Sequence, residues 1–265
     1  MNDKNLESIQ RLRDRFLTES ETNPQLYNPI DVKRVKTEDW QVYRFILDND
    51  SEEDAYKELI RVLQWKHTYG LHERSDEYFP KEFFIIFGHE KYSRDKMGRT
   101  VTWNTEDRYK KIADFTSVIQ QFVCHRLEQL DRNAGPLGWV SVNDCSHASM
   151  VNVDMNMNKF RTDQLNQYPR GLQNSLNVDM PWIMSTTFKL IKNLMSKRLR
   201  DVLLVCKRED LCQYVDKESI PECFGGNREC CSDGIKHLKS LKDCNHLGFN
   251  DKQIETFYTT YKEWF

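Results

Sequence analysis

The sequence predicts an α/β protein: a helical N-terminal part followed by a mainly parallel sheet flanked by helices. Three observations lead there. Before about residue 98 the apolar residues recur at helical spacing, and after it short β-rich runs alternate with helical ones. The order of those later runs is βαβαβ, which calls for parallel strands joined by right-handed helical crossovers. A chain of 265 residues with 14 Phe, 11 Tyr and 6 Trp has enough apolar bulk to build a core around such a sheet.

Taken in order, Leu6, Ile9, Leu12 and Phe16 mark one N-terminal helix. Ala55, Leu59, Val62 and Leu63 mark another, opened by Ser51 and Asp54 at capping-box spacing and closed by Gly70. From Gly98 onward a strand is expected at 99–103, then a long helix through Ile112, Phe115, Ile119, Phe122, Val123, Leu127 and Leu130, stopped by Gly135 and Pro136. A strand at 138–143 follows, a helix to about Tyr168, a strand near 175–178, a helix from Pro181 and a strand at 202–205. The residues after Gly226 are polar at first. They end in Ile254, Phe257, Tyr258, Tyr261 and Phe265 at the spacing of one amphipathic helix. The expected division is therefore 1–97 helical, 98–226 α/β, and 227–265 a tail.

Composition narrows the function classes. With 39 basic and 41 acidic residues there is no positive field to hold nucleic acid phosphates, so no nucleic acid partner is expected. The first 30 residues carry charges throughout and lack the apolar core of a secretory signal, which gives a cytoplasmic expectation. The apolar runs at 83–87 and 202–206 are far shorter than the ~20 residues of a membrane helix. The eight cysteines are expected as reduced thiols, and no disulfide is assigned.

Enzymatic signatures are missing. There is no Gly-rich phosphate loop, no Gly-x-Ser-x-Gly elbow and no His-Glu-x-x-His helix, so neither a catalytic residue nor a cofactor is expected. Cys230, Cys231, His237, Cys244 and His246 supply donors that zinc prefers, but at no recognised finger spacing, and ordinary thiols in a loop are the preferred reading. No metal site is assigned. Asp144, Cys145 and His147 stand where parallel sheets place ligands, which makes a Cys-His nucleophile conceivable; a turn cap and a satisfied histidine are preferred.

The segment 168–226 carries Tyr168-Pro169, then Asn177 to Pro181 with Trp182, Phe188-Lys189-Leu190-Ile191-Lys192, and Ile220-Pro221-x-x-Phe224-Gly225-Gly226. Upstream stand Val42-Tyr43-Arg44-Phe45-Ile46-Leu47 and Leu63-Gln64-Trp65-Lys66. In this order the motifs resemble the CRAL-TRIO family, the lipid-exchange domain of yeast phosphatidylinositol-transfer proteins, tocopherol-transfer protein and retinaldehyde-binding protein. The resemblance implies a CRAL-TRIO fold enclosing an apolar cavity and a non-catalytic carrier, sensor or membrane-associated module. It also implies a lipid or other hydrophobic ligand and peripheral contact with cytosolic membrane surfaces carrying anionic lipid. The protein is expected to be a monomer. The alternative is an adaptor that uses the same fold for protein–protein contacts.

In the family the helix after Pro181 is a gate over the cavity. Here Met184, Thr187, Phe188, Ile191, Leu194 and Met195 form one apolar stripe, with Lys189, Lys192, Lys197, Arg198 and Arg200 as membrane-surface cations. A carrier needs such a lid, because each buried methylene is worth ~0.8 kcal/mol and a 16-carbon chain needs ~12 kcal/mol of water-free contact. Phosphatidylinositol-binding relatives carry a glutamate after the Tyr-Pro pair and a lysine near the later helix. Arg170 and Glu209 occupy those headgroup positions here, a charge reversal that argues against phosphatidylinositol exchange of the yeast type.

Overall fold

A computed structural model describes residues 3–87, 92–230 and 233–265. The chain divides into two compact units, one of residues 1–75 with 167–170 and the other of 76–166 with 171–265. The first unit ends at Ser75, and the residues from 227 onward lie in the second.

The first unit is helical: α1 (Asp3–Thr22), α2 (Pro29–Thr37), α3 (Asp39–Asp48) and α4 (Glu52–Tyr69). Ile9, Leu12 and Phe16 of α1 are buried with Val42 and Phe45 of α3 and Leu59 and Val62 of α4, the stripes expected from their spacing. Leu6 lies outside this core, at 44% exposure. Ser51 caps α4 by accepting from the Asp54 N–H at 3.1 Å, and Gly70 closes it at φ 65°, a left-handed value that costs glycine nothing. The inserted segment 167–170 explains the upstream motif residues. Buried Arg44 donates from Nε to the Pro169 carbonyl at 2.7 Å, and the Lys66 ammonium lies 5.0 Å from the centre of the Tyr168 ring.

In the second unit a short helix, α5 (Lys81–Phe87), precedes β1 (Ser93–Arg94) and β2 (Thr100–Thr105). Then follow α6 (Thr116–Ala134), β3 (Trp139–Asp144), α7 (Met155–Leu165), β4 (Leu172–Val178), α8 (Ser185–Asn193), α9 (Lys197–Asp201) and β5 (Leu203–Cys206). The chain ends with α10 (Leu211–Tyr214) and α11 (Asp251–Thr260). The five strands lie in sequence order, β1 antiparallel to β2 and all other neighbours parallel. The α/β expectation holds, and the strand edges fall within a few residues of their expected places.

Each parallel strand alternates between two faces. Val101, Trp103, Val140, Val142, Leu176 and Val178 face one core, closed by Leu211, Val215, Ile220 and Phe224. The Ile220–Gly226 motif builds this closure. Gly225 takes φ 86°, and a Cβ on Gly226 would come within 2.0 Å of the Ile220 carbonyl oxygen, so no other residue fits without moving the backbone. A second core joins Phe79, Phe83 and Phe84 to Phe115 and Phe122, and the C-terminal helix completes it with Phe257 and Tyr261, both fully buried. The tail therefore docks. Asn250 and Gln253 form a reciprocal capping box that starts α11.

Candidate functional site

The other sheet face carries polar side chains at its centre. Thr102 and Asn104 of β2, Ser141 and Asn143 of β3, and Ser175 and Asn177 of β4 point to it. The strand register aligns Thr102 with Ser141 and Ser175, and Asn104 with Asn143 and Asn177, giving two polar rows across three strands. The rows are knit together. Asn104 Nδ2 donates to Asn143 Oδ1 at 3.1 Å and to Ser141 Oγ at 3.0 Å, and Asn143 Nδ2 donates to Ser175 Oγ at 3.0 Å. Asn177 Nδ2 ends the ladder on the Leu204 carbonyl at 3.1 Å. Because every amide holds its neighbour, these side chains form a fixed floor.

Over this floor lies a cavity of about 310 Å³. Phe122, Val123, Leu127 and Leu130 of α6 wall one side, Met157 and Leu165 of α7 another, and Ile86 and Phe87 of α5 contribute as well. The fourth wall is the segment around and after Pro181, where Met180, Met184, Phe188, Ile191 and Met195 line the space at helical spacing. The cavity is thus amphipathic, with apolar walls over a polar sheet face, and not apolar throughout as the sequence suggested. The signal was present as a Ser/Thr-x-Asn triplet in each of three strands, at 102–104, 141–143 and 175–177.

Of the six stripe residues, Met184, Phe188, Ile191 and Met195 line the cavity. Thr187 is buried beside them and donates from Oγ1 to the Met150 sulfur at 3.7 Å. Leu194 departs from the expectation: α8 ends at Asn193, and the following turn leaves Leu194 41% exposed. On the outer side Trp182 is 85% exposed, with Ile183 and Leu190 also open to solvent. Lys189, Lys197 and Arg200 are exposed, while Lys192 and Arg198 are half-buried.

The two headgroup candidates have other partners. Arg170 adopts φ 56°, donates to the Leu47 carbonyl and pairs with Asp48 at 3.2 Å in the helical unit. Glu209 faces Lys207 at 3.7 Å beside an open surface depression after β5. Neither lines the cavity. At the carboxyl ends of the parallel strands stands a different ion cluster, which sequence inspection passed over: Arg208 donates to Asp144 at 2.6 Å and to Asp179 at 3.2 Å.

The Cys145 thiol is held in its protonated form. Burial pushes the Cys145 thiol well up, reinforced by the nearby carboxylates of Glu106 and Asp144, and its Sγ–H points to the Asn143 carbonyl. His147 is exposed. Of the tail residues weighed for zinc, Cys244 is buried, His246 Nε2 meets the Tyr78 carbonyl at 2.9 Å, and Cys230 Sγ lies 2.6 Å from Cys223 Sγ. Cys231 falls outside the described residues. No helix among the described residues is long and apolar enough to cross a membrane.

Comparison with known proteins agrees with this geometry. Patellin-5 of Arabidopsis thaliana is 21% identical over 260 residues, covering 88% of this chain, which spans 38% of that protein's length. The crystal structure of Sfh5 superposes with a TM-score of 0.62 at 17% identity, over 99% of this chain and 98% of the other, a likeness of fold. Residues 89–226, just over half of the chain, match the CRAL/TRIO domain, the span that holds the sheet, the cavity and the segment after Pro181. With Ile220 to Gly226 closing one face of the sheet and the cavity opening on the other, this chain belongs to the CRAL/TRIO family.

Proposed function

We propose that this domain binds one amphiphilic lipid-like molecule in the cavity and acts as a non-catalytic carrier, sensor or membrane-associated module. The observation that carries the reading is the amphipathic cavity itself, apolar side chains of α6, α7 and α8 set over the Ser/Thr and Asn rows. A hydrocarbon chain gains ~0.8 kcal/mol per methylene against such walls, and a polar group can meet the floor without leaving a buried amide unpaired. The segment after Pro181 suits a lid, since its inner residues meet the cavity and its outer ones meet water. The motif pattern also resembles the N-terminal domain of motile sperm domain-containing protein 2. Because Arg170 and Glu209 are engaged elsewhere, headgroup choice falls to other residues, and transfer of phosphatidylinositol is expected near background.

The test is native mass spectrometry of the purified chain beside a Phe188→Asp/Ile191→Asp variant. We expect a lipid-sized mass on the unmodified protein and its loss in the variant, with helical circular dichroism preserved. A wild-type chain that carries no lipid and takes up none from vesicles would favour the adaptor reading. Global unfolding of the variant would make Phe188 and Ile191 core residues and not lid residues.

A further inference from the structure

Four charged side chains line the cavity: Glu106, Arg126, Asp154 and Arg161. Three are matched by opposite charge. Arg161 pairs with Glu106 at 3.3 Å. Asp154 accepts from the Tyr109 hydroxyl at 3.1 Å and from the Asn156 and Met157 N–H groups that open α7, with Lys111 3.7 Å away. Arg126 differs. Among the described residues no carboxylate lies within ion-pair distance of it; its one hydrogen bond runs from Nη1 to the neutral Gln129 amide oxygen at 3.0 Å.

That hydrogen bond aims the guanidinium. Asp76 accepts from Gln129 Nε2 at 2.8 Å and meets His125 Nε2 at 2.8 Å, which fixes the Gln129 amide with its oxygen toward Arg126. The hydrogen bonds from His125 and Gln129, with a weaker through-space pull from Arg126, hold the Asp76 carboxyl below its ordinary range against burial. The rings of Phe84 and Tyr92 flank Arg126 at 5.5 and 5.8 Å. Nε and Nη2 therefore have no acceptor among the described residues, on a wall otherwise made of Phe122, Val123, Leu127 and Leu130.

From this geometry we infer that Arg126 is an anion anchor, and that the cavity takes an amphiphile ending in a carboxylate or a phosphate monoester. The inference rests on the proposed binding of a lipid-like molecule and specifies its head group. A guanidinium held by one N–H on a neutral amide and flanked by rings keeps a planar pair of donors that suits two oxygens of one anion. A partly desolvated cation facing apolar walls gains most from such a partner.

The delipidated full chain is titrated with oleate, oleyl phosphate and oleyl alcohol, which share one hydrocarbon chain, so the difference between them isolates the head group. The expected result is that the unmodified protein binds at least one of the two anions roughly tenfold to a hundredfold more tightly than the alcohol. Which anion wins separates a fatty acid from a phosphate monoester. Arg126→Gln should bring the anions to the level of the alcohol while leaving alcohol binding unchanged, and Arg126→Lys should keep part of the preference. Equal binding of all three by the unmodified protein, which needs no variant, or an anion preference that survives in Arg126→Gln, overturns the anchor while the cavity reading stands. Failure of all three to bind overturns both.

Discussion

Arg208 holds together the carboxyl ends of three parallel strands, since Asp144 follows from β3, Asp179 from β4 and Arg208 from β5. Burial acts to raise the Asp144 carboxyl, but the Ser146 N–H and hydroxyl and the Arg208 guanidinium outweigh it and hold the group below its ordinary range. A carboxylate lowered on folding stabilises the protein above its unfolded value, about 3.9, and that contribution is lost as pH falls through the lower folded value. Arg208→Gln leaves two carboxylates facing each other without a cation, a loss of about 2 kcal/mol, or several degrees in Tm. Thermal melts of both proteins from pH 7 to pH 3 should show the widest gap at neutral pH, narrowing below about pH 4. A gap that stays constant with pH would show that Asp144 does not carry the effect. Single residues were the least legible level of the sequence. Nothing local in the sequence singles out Arg208, because the meeting of three strand ends depends on a register that no local pattern states. The Ser/Thr-x-Asn triplets were legible in hindsight, since two-residue alternation puts both polar residues on one face, but polar strand residues more often face solvent than a cavity.

Elements were read more easily, because periodicity and caps are local. Ser51 and Gly70 bound α4, and the stripe of α6 faces inward with Ile119 and Phe122 buried. The spacing from Pro181 marks helix α8, which begins at Ser185 after a turn over Trp182–Met184, and Leu194 continues the spacing while the backbone leaves the helix after Asn193. The tail was legible as an amphipathic helix but not as part of the core, because spacing shows that a face is apolar and not what covers it. Here the cover is aromatic. Phe257 packs on Phe115 and Phe83 with ring centres 4.9 and 6.0 Å apart. The Tyr261 hydroxyl bridges the Lys110 N–H and carbonyl, and burial pushes it up to about 12. Replacing Phe257 by Ala opens a hole in this core at a cost of about 3–5 kcal/mol, which corresponds to a fall in Tm of about 10 °C. Differential scanning calorimetry checks it. A change under about 2 °C would mean that α11 lies on the unit without helping to hold it.

At the scale of the whole molecule, net charge is close to neutral, so any attraction to a membrane has to come from a local patch and not from the global field. The segment from Pro181 to Arg200 offers both parts of such a patch. Trp182, Ile183, Leu190 and Leu194 are exposed apolar groups, and Trp at an interface keeps its ring among acyl chains and its N–H among headgroups. Lys189, Lys192, Lys197, Arg198 and Arg200 accompany them, each worth about 1 kcal/mol near an anionic surface when fully engaged. Lys192 lies 5.7 Å from the Phe188 ring and is half-buried, so it contributes less than the exposed Lys189 and Lys197. Flotation with vesicles containing phosphatidylserine should therefore recover more protein than flotation with neutral vesicles. Raising salt from about 0.05 to 0.5 M should remove most of that difference, because the Debye length shrinks from over 10 Å to about 4 Å. Lys189→Glu/Lys197→Glu should abolish the preference for anionic lipid, whereas Trp182→Ala should weaken binding to both kinds of vesicle. If recovery is the same for neutral and anionic vesicles and indifferent to salt, the basic residues of this segment do not face the membrane, and the segment would have to meet lipid by another side.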